Sequence, residues 1–334
     1  CSAKTVPDTA PGQVQEQAQG EQGKTDDGKT YTIRIAVVSS DSHLHNTILK
    51  EWAQEAIEKT DGRLVLKIMG SSQLGGERDY VEGMQLGNIE MAQVSSAAVN
   101  GFLSDFSVLS FPYLFHDYAE MEKVFNGPMG DALFQELEGI GIKGLTWFSN
   151  GFRNVYTKNT PVTIPADMKG LKMRSMMSEM LVDMYKELGA VPLSISYSEL
   201  YTSLQTGMVE AQDNGFVPTE SDGFTEVLKN VCVSNHFYAG GVVVVADDWL
   251  EGLPEEDQKL IKDAAKEAGK AQRAYLLEEN QKLIDKYSKE DGWTVTEIED
   301  KDAWVEAVQP VYKKYLKANP EWQELLDIVD DLRK

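Results

Sequence analysis

The chain has 334 residues, of which 42% are hydrophobic, 26% charged and 9% aromatic, enough to bury a sizeable core and long enough for two lobes. Its formal net charge of −22 argues against duplex DNA or a polyanionic surface as partner, because phosphate contacts need clustered Lys and Arg, but local charge can still bind a small anion. The longest unbroken apolar run, 242–246, is far below the roughly 20 residues of a membrane-spanning helix, which excludes one.

The first residue is Cys1 and the only other cysteine is Cys232, too few for a disulfide framework or a zinc set. Cys1 is expected to carry lipid, as in a processed bacterial lipoprotein; a plain chain boundary is the duller reading. Residues 1–30 contain no Leu, Ile, Met, Phe, Tyr or Trp and are expected to form a flexible tether. Cys232, within an apolar stretch, is expected to be a buried small hydrophobe.

From Tyr31 the pattern changes. Residues 31–38 read as a strand, 46–59 as a helix with Ile48, Leu49, Trp52, Ala53, Ala56 and Ile57 on one face, and 63–69 as a strand after the Asp61-Gly62 break. A helix over 77–86 and a strand over 89–94 follow, implying an α/β lobe with a largely parallel sheet. The spacing then predicts a helix over 129–137, a strand over 142–148, a turn at Ser149-Asn-Gly-Phe-Arg153 and a short strand over 171–174. Helices over 178–188 and 197–205 and a strand over 209–213 come next, then strands over 231–238 and 242–246 parted by Gly240-Gly241. A helix over 255–287, with Leu260, Ile261, Ala264, Ala268, Ala271 and Tyr275 facing inward, is long enough to brace two lobes. A strand near 293–298 and two helices close the chain. The expected division is a tether over 1–30, lobe I from 31–150 plus about 240–280, and lobe II from 151–239 plus about 281–334 with bracing C-terminal helices.

Several motifs fail on context. Gly139-Ile-Gly141-Ile-Lys-Gly144 fits a dinucleotide fingerprint, but a helix precedes it and a strand follows, the reverse of what a phosphate at a helix N-terminus requires. These glycines read as a helix stop and turn. His43-Leu-His45 has no assignable third ligand, so no metal is expected. The pairs Glu255-Glu256 and Asp247-Asp248 lie at helix starts, where capping explains them. No cofactor is expected.

Arginine is scarce, only 7 of 32 cationic residues, yet Arg153 and Arg174 both follow or end predicted strands. Strand C-termini of open α/β sheets are where ligands sit, and a guanidinium matches a carboxylate with two charge-assisted hydrogen bonds. Two readings stand for each: a ligand clamp, or a salt bridge to one of the 54 acidic groups.

The run Gly170-Leu-Lys-Met-Arg174, preceded by Pro165-Ala-Asp-Met-Lys169, resembles the central motif of the solute-binding proteins of tripartite ATP-independent periplasmic (TRAP) transporters, the DctP family. Ser72-Gln-Leu-Gly-Gly-Glu-Arg78, Phe111-Pro-Tyr-Leu-Phe115, Asn150-Gly-Phe-Arg153, the 197–206 segment, Val209-Glu-Ala-Gln-Asp-Asn214 and Trp249-Leu-Glu-Gly-Leu-Pro254 agree in order and spacing. The resemblance covers roughly residues 31–320. It implies two α/β lobes joined by hinge strands and a long helix, closing over an organic acid. It carries the carboxylate-pairing Arg onto Arg174, an Asn onto Asn214 and a second Arg onto Arg153, with His43, Glu77, Ser95, Ser178 and Tyr197 lining the cleft. Tyr197 or Phe216 could offer an apolar face, with core packing the plainer role for Phe216.

The sugar-acid (uronate) branch is most similar, through Asp41-Ser-His43, Gly127-Pro-Met-Gly130, Arg153-Asn-Val-Tyr156 and Arg174-Ser-Met-Met-Ser178. The chain departs from that branch at Asp213-Asn214-Gly215, where Glu-Asn-Asn is usual, and around 93–96, where Arg or Asn is common. The resemblance therefore implies a periplasmic or extracytoplasmic receptor that hands a D-glucuronate- or D-galacturonate-like acid to TRAP permease subunits; the lipid expected on Cys1 would anchor it to the membrane. It implies no catalysis and no nucleic-acid partner. Rival expectations are a dicarboxylate or keto-acid receptor of the same family, a secreted lyase or hydrolase using Glu77 or His43 as base, and a structural lipoprotein.

Overall fold

The computed structural model describes residues 29–333, so Cys1 and nearly all of the expected tether lie outside the described residues. The chain opens β1 (Tyr31–Ala36), α1 (Leu44–Lys59), β2 (Leu64–Met69), α2 (Glu77–Gln85), β3 (Met91–Ser95) and α3 (Ser96–Val99). After α4 (Tyr118–Phe125) and α5 (Pro128–Glu138), β4 (Ile142–Thr157) crosses the molecule. Then come β5 (Lys172–Ser175), α6 (Glu179–Glu187), β6 (Val191–Ser194), α7 (Tyr197–Thr206), β7 (Ala211–Asn214) and α8 (Phe216–Ser221). The second crossing strand, β8 (Asn230–Ala246), leads to α9 (Asp247–Glu251), the long α10 (Glu255–Tyr287), β9 (Thr294–Glu297), α11 (Lys301–Ala307), α12 (Gln309–Ala318) and α13 (Trp322–Asp331).

The strands form one sheet in the order β2-β1-β3-β8-β4-β7-β5-β6, with β9 alongside β8. The parallel pairs expected from the alternation of strand and helix are present: β1 with β2 and β3, and β5 with β6 and β7. The sheet as a whole is mixed, because β8 runs antiparallel to β3 and β4, and β4 antiparallel to β7. The parallel sets are thus two α/β halves, fused through β4 and β8. This is the two-lobe α/β architecture, and α10 is its long helix.

Sequence periodicity broke both crossing strands where the structure runs them through. The turn expected at 149–153 lies within β4, and Gly240-Gly241 lies within β8. Register shifts on β4 at Ser149/Gly151 and Arg153/Val155, with Gly151 at φ 80°, absorb the bend without ending the strand. Gly241 is glycine because a Cβ would stand 2.9 Å from Gln93 Nε2. At the other fingerprint-like run, Gly139 caps α5 and Gly141 turns at φ 77° into β4, the stop and turn read from context.

Helix α10 lies on β4, and it corrects one detail of the pattern. Its buried stripe is Ile261, Ala264, Ala265, Ala268, Gly269, Gln272, Arg273 and Leu276, whereas Ala271 and Tyr275 face outward. The 3.6-residue period continues through polar positions that an apolar template skips. Gln272 earns its burial by holding both backbone groups of Ser149: Oε1 accepts from the amide at 2.9 Å and Nε2 donates to the carbonyl at 2.8 Å. This pins the β4 bulge to α10. Gln272→Leu removes both bonds and is expected to lower stability by about 1–3 kcal/mol, read as a reduced urea midpoint at unchanged m-value. An unchanged midpoint would show that the bulge does not depend on this side chain.

Candidate functional site

A cleft of about 740 Å³ opens between the β1–β3 half and the β5–β7 half of the sheet, lined by Val38, the 71–79 loop and helix start, Ser95, Phe102, Arg174, Met176 and Tyr197. Its floor is a narrow chamber of about 40 Å³ shared by Glu77, Ser95, Arg174, Met176 and Tyr197 with Ser39, His43, Gln93, Arg153 and Asn214. Strand ends put them there. Ser95 ends β3, Arg174 lies at the end of β5 and Asn214 ends β7, while Glu77 and Tyr197 begin α2 and α7.

The two arginines, each open from residue type and position alone to a clamp or a salt bridge, have opposite fates. Arg153 is locked within the protein: Nε donates to Asp213 Oδ2 at 2.6 Å, Nη2 to the Asp213 carbonyl at 2.5 Å and Nη1 to Asn214 Oδ1 at 2.6 Å. Burial works against its charge, but the Asp213 carboxylate more than compensates and raises its pKa. Burial also opposes ionisation of Asp213, yet Arg153 holds that carboxyl below its ordinary range.

Arg174 is only 3% exposed and makes no ion pair among the described residues. Its Nε donates to the Ile195 carbonyl at 3.0 Å, and its Nη1 is buried with no partner. Burial pushes its pKa down, with the like charge of Arg153 adding to it and the more distant Asp213 and Glu77 carboxylates opposing it. A buried cation with a free donor is costly unless an anion completes it. The Tyr197 ring lies 5.9 Å from the guanidinium carbon and supplies a weak electrostatic partner.

The rest of the floor is polar and partly unsatisfied. Asn214 Oδ1 accepts from both Arg153 and Gly215 N, so the amide orientation is fixed and Nδ2 is left buried without a partner. Asp213 and Gln212, also on β7, do not line the floor; the Asp213 carboxylate serves Arg153 and faces Tyr185 and His236. Glu77 accepts from Ser95 N at 2.6 Å and Ser95 Oγ at 2.8 Å, tying α2 to the start of α3. Burial raises the Glu77 pKa, with Ser95 and the positive field of Arg174 pulling the other way. His43 caps α1, its Nδ1 accepting from His45 N at 3.0 Å, and burial lowers its pKa to about 3, so it is neutral and keeps its proton on Nε2. The His43–His45 pair is therefore committed to the backbone and to Gln93 and Ser149.

Seven of the residues named from sequence, Arg174, Arg153, Asn214, His43, Glu77, Ser95 and Tyr197, converge on this floor. Two do not. Ser178 begins α6 facing a separate depression, where its Oγ accepts from Asn100 Nδ2 at 3.1 Å. Phe216 is fully buried between the Tyr156 and Tyr287 rings, at 5.8 and 6.1 Å, and is core. Cys232 is buried, its thiol pushed up to about 12 by desolvation. Sequence reading did not place Gln93, His45, Asn150 and Met176 in the cleft, though the floor also uses them, and it weighed His45 only as a metal ligand. Gln93 was the most findable, two residues from the end of a strand beside a named position. The glycine at 215, a departure from the uronate branch, has a structural cause: a Cβ there would stand 2.1 Å from the Asn150 carbonyl oxygen.

Known proteins share the chain's sequence pattern and fold. Residues 35–319 match the family model of bacterial extracellular solute-binding proteins, family 7. The chain is 33% identical to the 2,3-diketo-L-gulonate-binding periplasmic protein YiaO of Escherichia coli, over 90% of this chain and 92% of that one. It is 35% identical to the C4-dicarboxylate-binding periplasmic protein DctP of Rhodobacter capsulatus, over 78% and 79%. Among solved structures, a TRAP periplasmic solute-binding protein of Chromohalobacter salexigens with bound D-glucuronate superposes with a TM-score of 0.85 at 29% identity, covering 90% of this chain and 99% of that one. No helix among the described residues is long and apolar enough to cross a membrane. The chain belongs to the bacterial extracellular solute-binding proteins of family 7, the DctP family of TRAP solute-binding proteins.

Proposed function

We propose that this protein captures one molecule of a hexuronate-type sugar acid in the cleft, with the ligand carboxylate on Arg174, and delivers it to a membrane permease. The observation that carries the reading is the buried Arg174 Nη1 without a partner, beside a cleft open to solvent. Around it stand groups suited to hydroxyls: the free Asn214 donor and the unpartnered Ser39 Oγ, both lining the floor.

The charge balance favours a monocarboxylate over a dicarboxylate. Of the arginines lining the cleft, Arg153 is paired with Asp213 and Arg78 with Glu82 at 2.9 Å, which leaves Arg174. A second carboxylate on the ligand would face no unpaired guanidinium on the cleft floor, only the exposed Arg78 at its mouth. The neighbour holding D-glucuronate and the relative named for diketo-gulonate, itself a sugar acid, point the same way. No chemistry on the acid belongs to this reading, since Glu77 is engaged by Ser95 and His43 Nδ1 by the backbone.

Binding would draw together 31–150 with about 240–280, and 151–239 with about 281–334, flexing β4 at its Ser149/Gly151 shift and β8 opposite it. A thermal-shift screen followed by calorimetry tests the ligand. D-glucuronate, D-galacturonate or 2,3-diketo-L-gulonate is expected to bind one-to-one and raise Tm by mass action, with succinate and malate much weaker. A preference for succinate would overturn the monocarboxylate assignment.

A further inference from the structure

We propose that Asp222 is a positioning residue that latches the cleft shut across its two rims. It sits just after α8, on the β7 side, and its carboxylate is 6% exposed. From the opposite rim, the loop after β1, Ser40 donates to its Oδ1 twice, from the backbone amide at 3.0 Å and from Oγ at 2.5 Å. From its own side, the Tyr197 hydroxyl donates to Oδ2 at 2.6 Å. His43 Nε2, again on the β1 side, stands 3.9 Å from that same oxygen. Ser40 Oγ and Ser42 Oγ also reach the Ser221 carbonyl, at 3.3 and 3.1 Å, so one short segment of each rim is stitched to the other.

The latch is joined to the clamp through one side chain. Tyr197 gives its hydroxyl to Asp222 and presents its ring to the Arg174 guanidinium. An acid held by Arg174 therefore packs beside the ring whose hydroxyl holds the latch carboxylate, so clamp and latch share one side of the cleft and Ser40 closes the other rim onto them. The chemistry of the rim is that of a reversible catch. A carboxylate gathers hydroxyl and amide donors that water satisfies nearly as well once the rims part, so the open state carries no orphaned group. Contacts of this kind, present in one arrangement of the rims and absent in the other, bias an opening equilibrium without touching the ligand.

This inference rests on the closing-cleft reading above, so its test begins without ligand. Spin labels at Glu51→Cys on α1 and Glu187→Cys on α6, both exposed, report the distance across the two halves in a Cys1→Ser chain whose other thiol, Cys232, is buried. With Asp222 intact a narrow distribution is expected. Asp222→Ala should broaden it and move it to longer distances, and Ser40→Ala, a half-buried change that leaves the Tyr197 bond in place, should do so partially. With D-glucuronate, Asp222→Ala should speed dissociation about tenfold to a hundredfold, the scale of one hydrogen bond to an ionised group, with the association rate little changed. Unaltered distributions in both variants would overturn the latch. Longer distances without any uronate binding would keep the latch and overturn the sugar-acid assignment instead.

Discussion

Arg174→Ala is expected to weaken sugar-acid binding by roughly 30-fold to several-thousand-fold, the range of about 2–5 kcal/mol for removing one member of a buried charge pair. The physical reason is that the protein offers the ligand carboxylate no second unpaired guanidinium on the cleft floor, because Arg153 is spent on Asp213. Arg174→Lys should recover only a small part, since an ammonium lacks the planar fork and would have to give up the Ile195 carbonyl to reach the ligand. The same change should act oppositely on the empty protein. In the unliganded state Arg174 is a desolvated cation with a free donor, so Arg174→Met, close to it in length and apolar, is expected to leave Tm unchanged or to raise it. Calorimetry and thermal unfolding on the same preparations check both halves. A variant that still binds as tightly as the parent would remove the clamp, and one that is grossly destabilised would make Arg174 a structural residue.

Acid should unfold the protein well before its carboxylates titrate. Burial holds His43 and His45 at about 3 and His236 at about 4, against 6.5 for an ordinary histidine. The unfolded chain therefore binds more protons than the folded one below pH 6.5, so the stability these rings contribute is complete above that pH and drains away as pH falls toward their folded values. Each costs about 1.4 kcal/mol per pH unit within that window. Glu77, raised by burial, has the opposite sign: its contribution is present below 4.5 and fades as pH rises through its folded value, so it offsets only part of the loss. A steep drop in Tm between pH 6.5 and 4.5 is expected, and His43→Asn, which keeps an N-capping acceptor for α1, should flatten it. A Tm independent of pH over that interval would mean that water reaches these rings.

Much was legible before any coordinates. The alternation of strand and helix from β1 to β3 and from β5 to β7 and the length of α10 follow from period and breakers, which are local properties of the chain, whereas the seven side chains that meet on the floor were named through the family resemblance. What sequence misplaced was non-local. Breaks at 149–153 and at Gly240-Gly241 are reasonable readings of glycine in isolation, but each strand has the other to pair with across the bend, and the ladder overrides the local preference. Tyr275 and Ala271 continue an apolar template, whereas the helix buries Gln272 because Ser149 needs both its hydrogen bonds.

The amino-acid sequence by itself singled out two scarce arginines and showed that the chain has the family's ordered motifs; it set both at strand ends, where the structure keeps Arg174 near the end of β5 but runs β4 through Arg153. Which of them is left without an ion pair among the described residues was decided only by tertiary structure. The antiparallel register of β4 on β7, with Asn154 opposite Asn214, sets Arg153 against Asp213, while β5 delivers Arg174 to a floor where no acidic side chain comes within ion-pairing distance. A charge's partner is fixed by whatever the fold brings within a few ångströms, and that distance is not written in spacing along the chain.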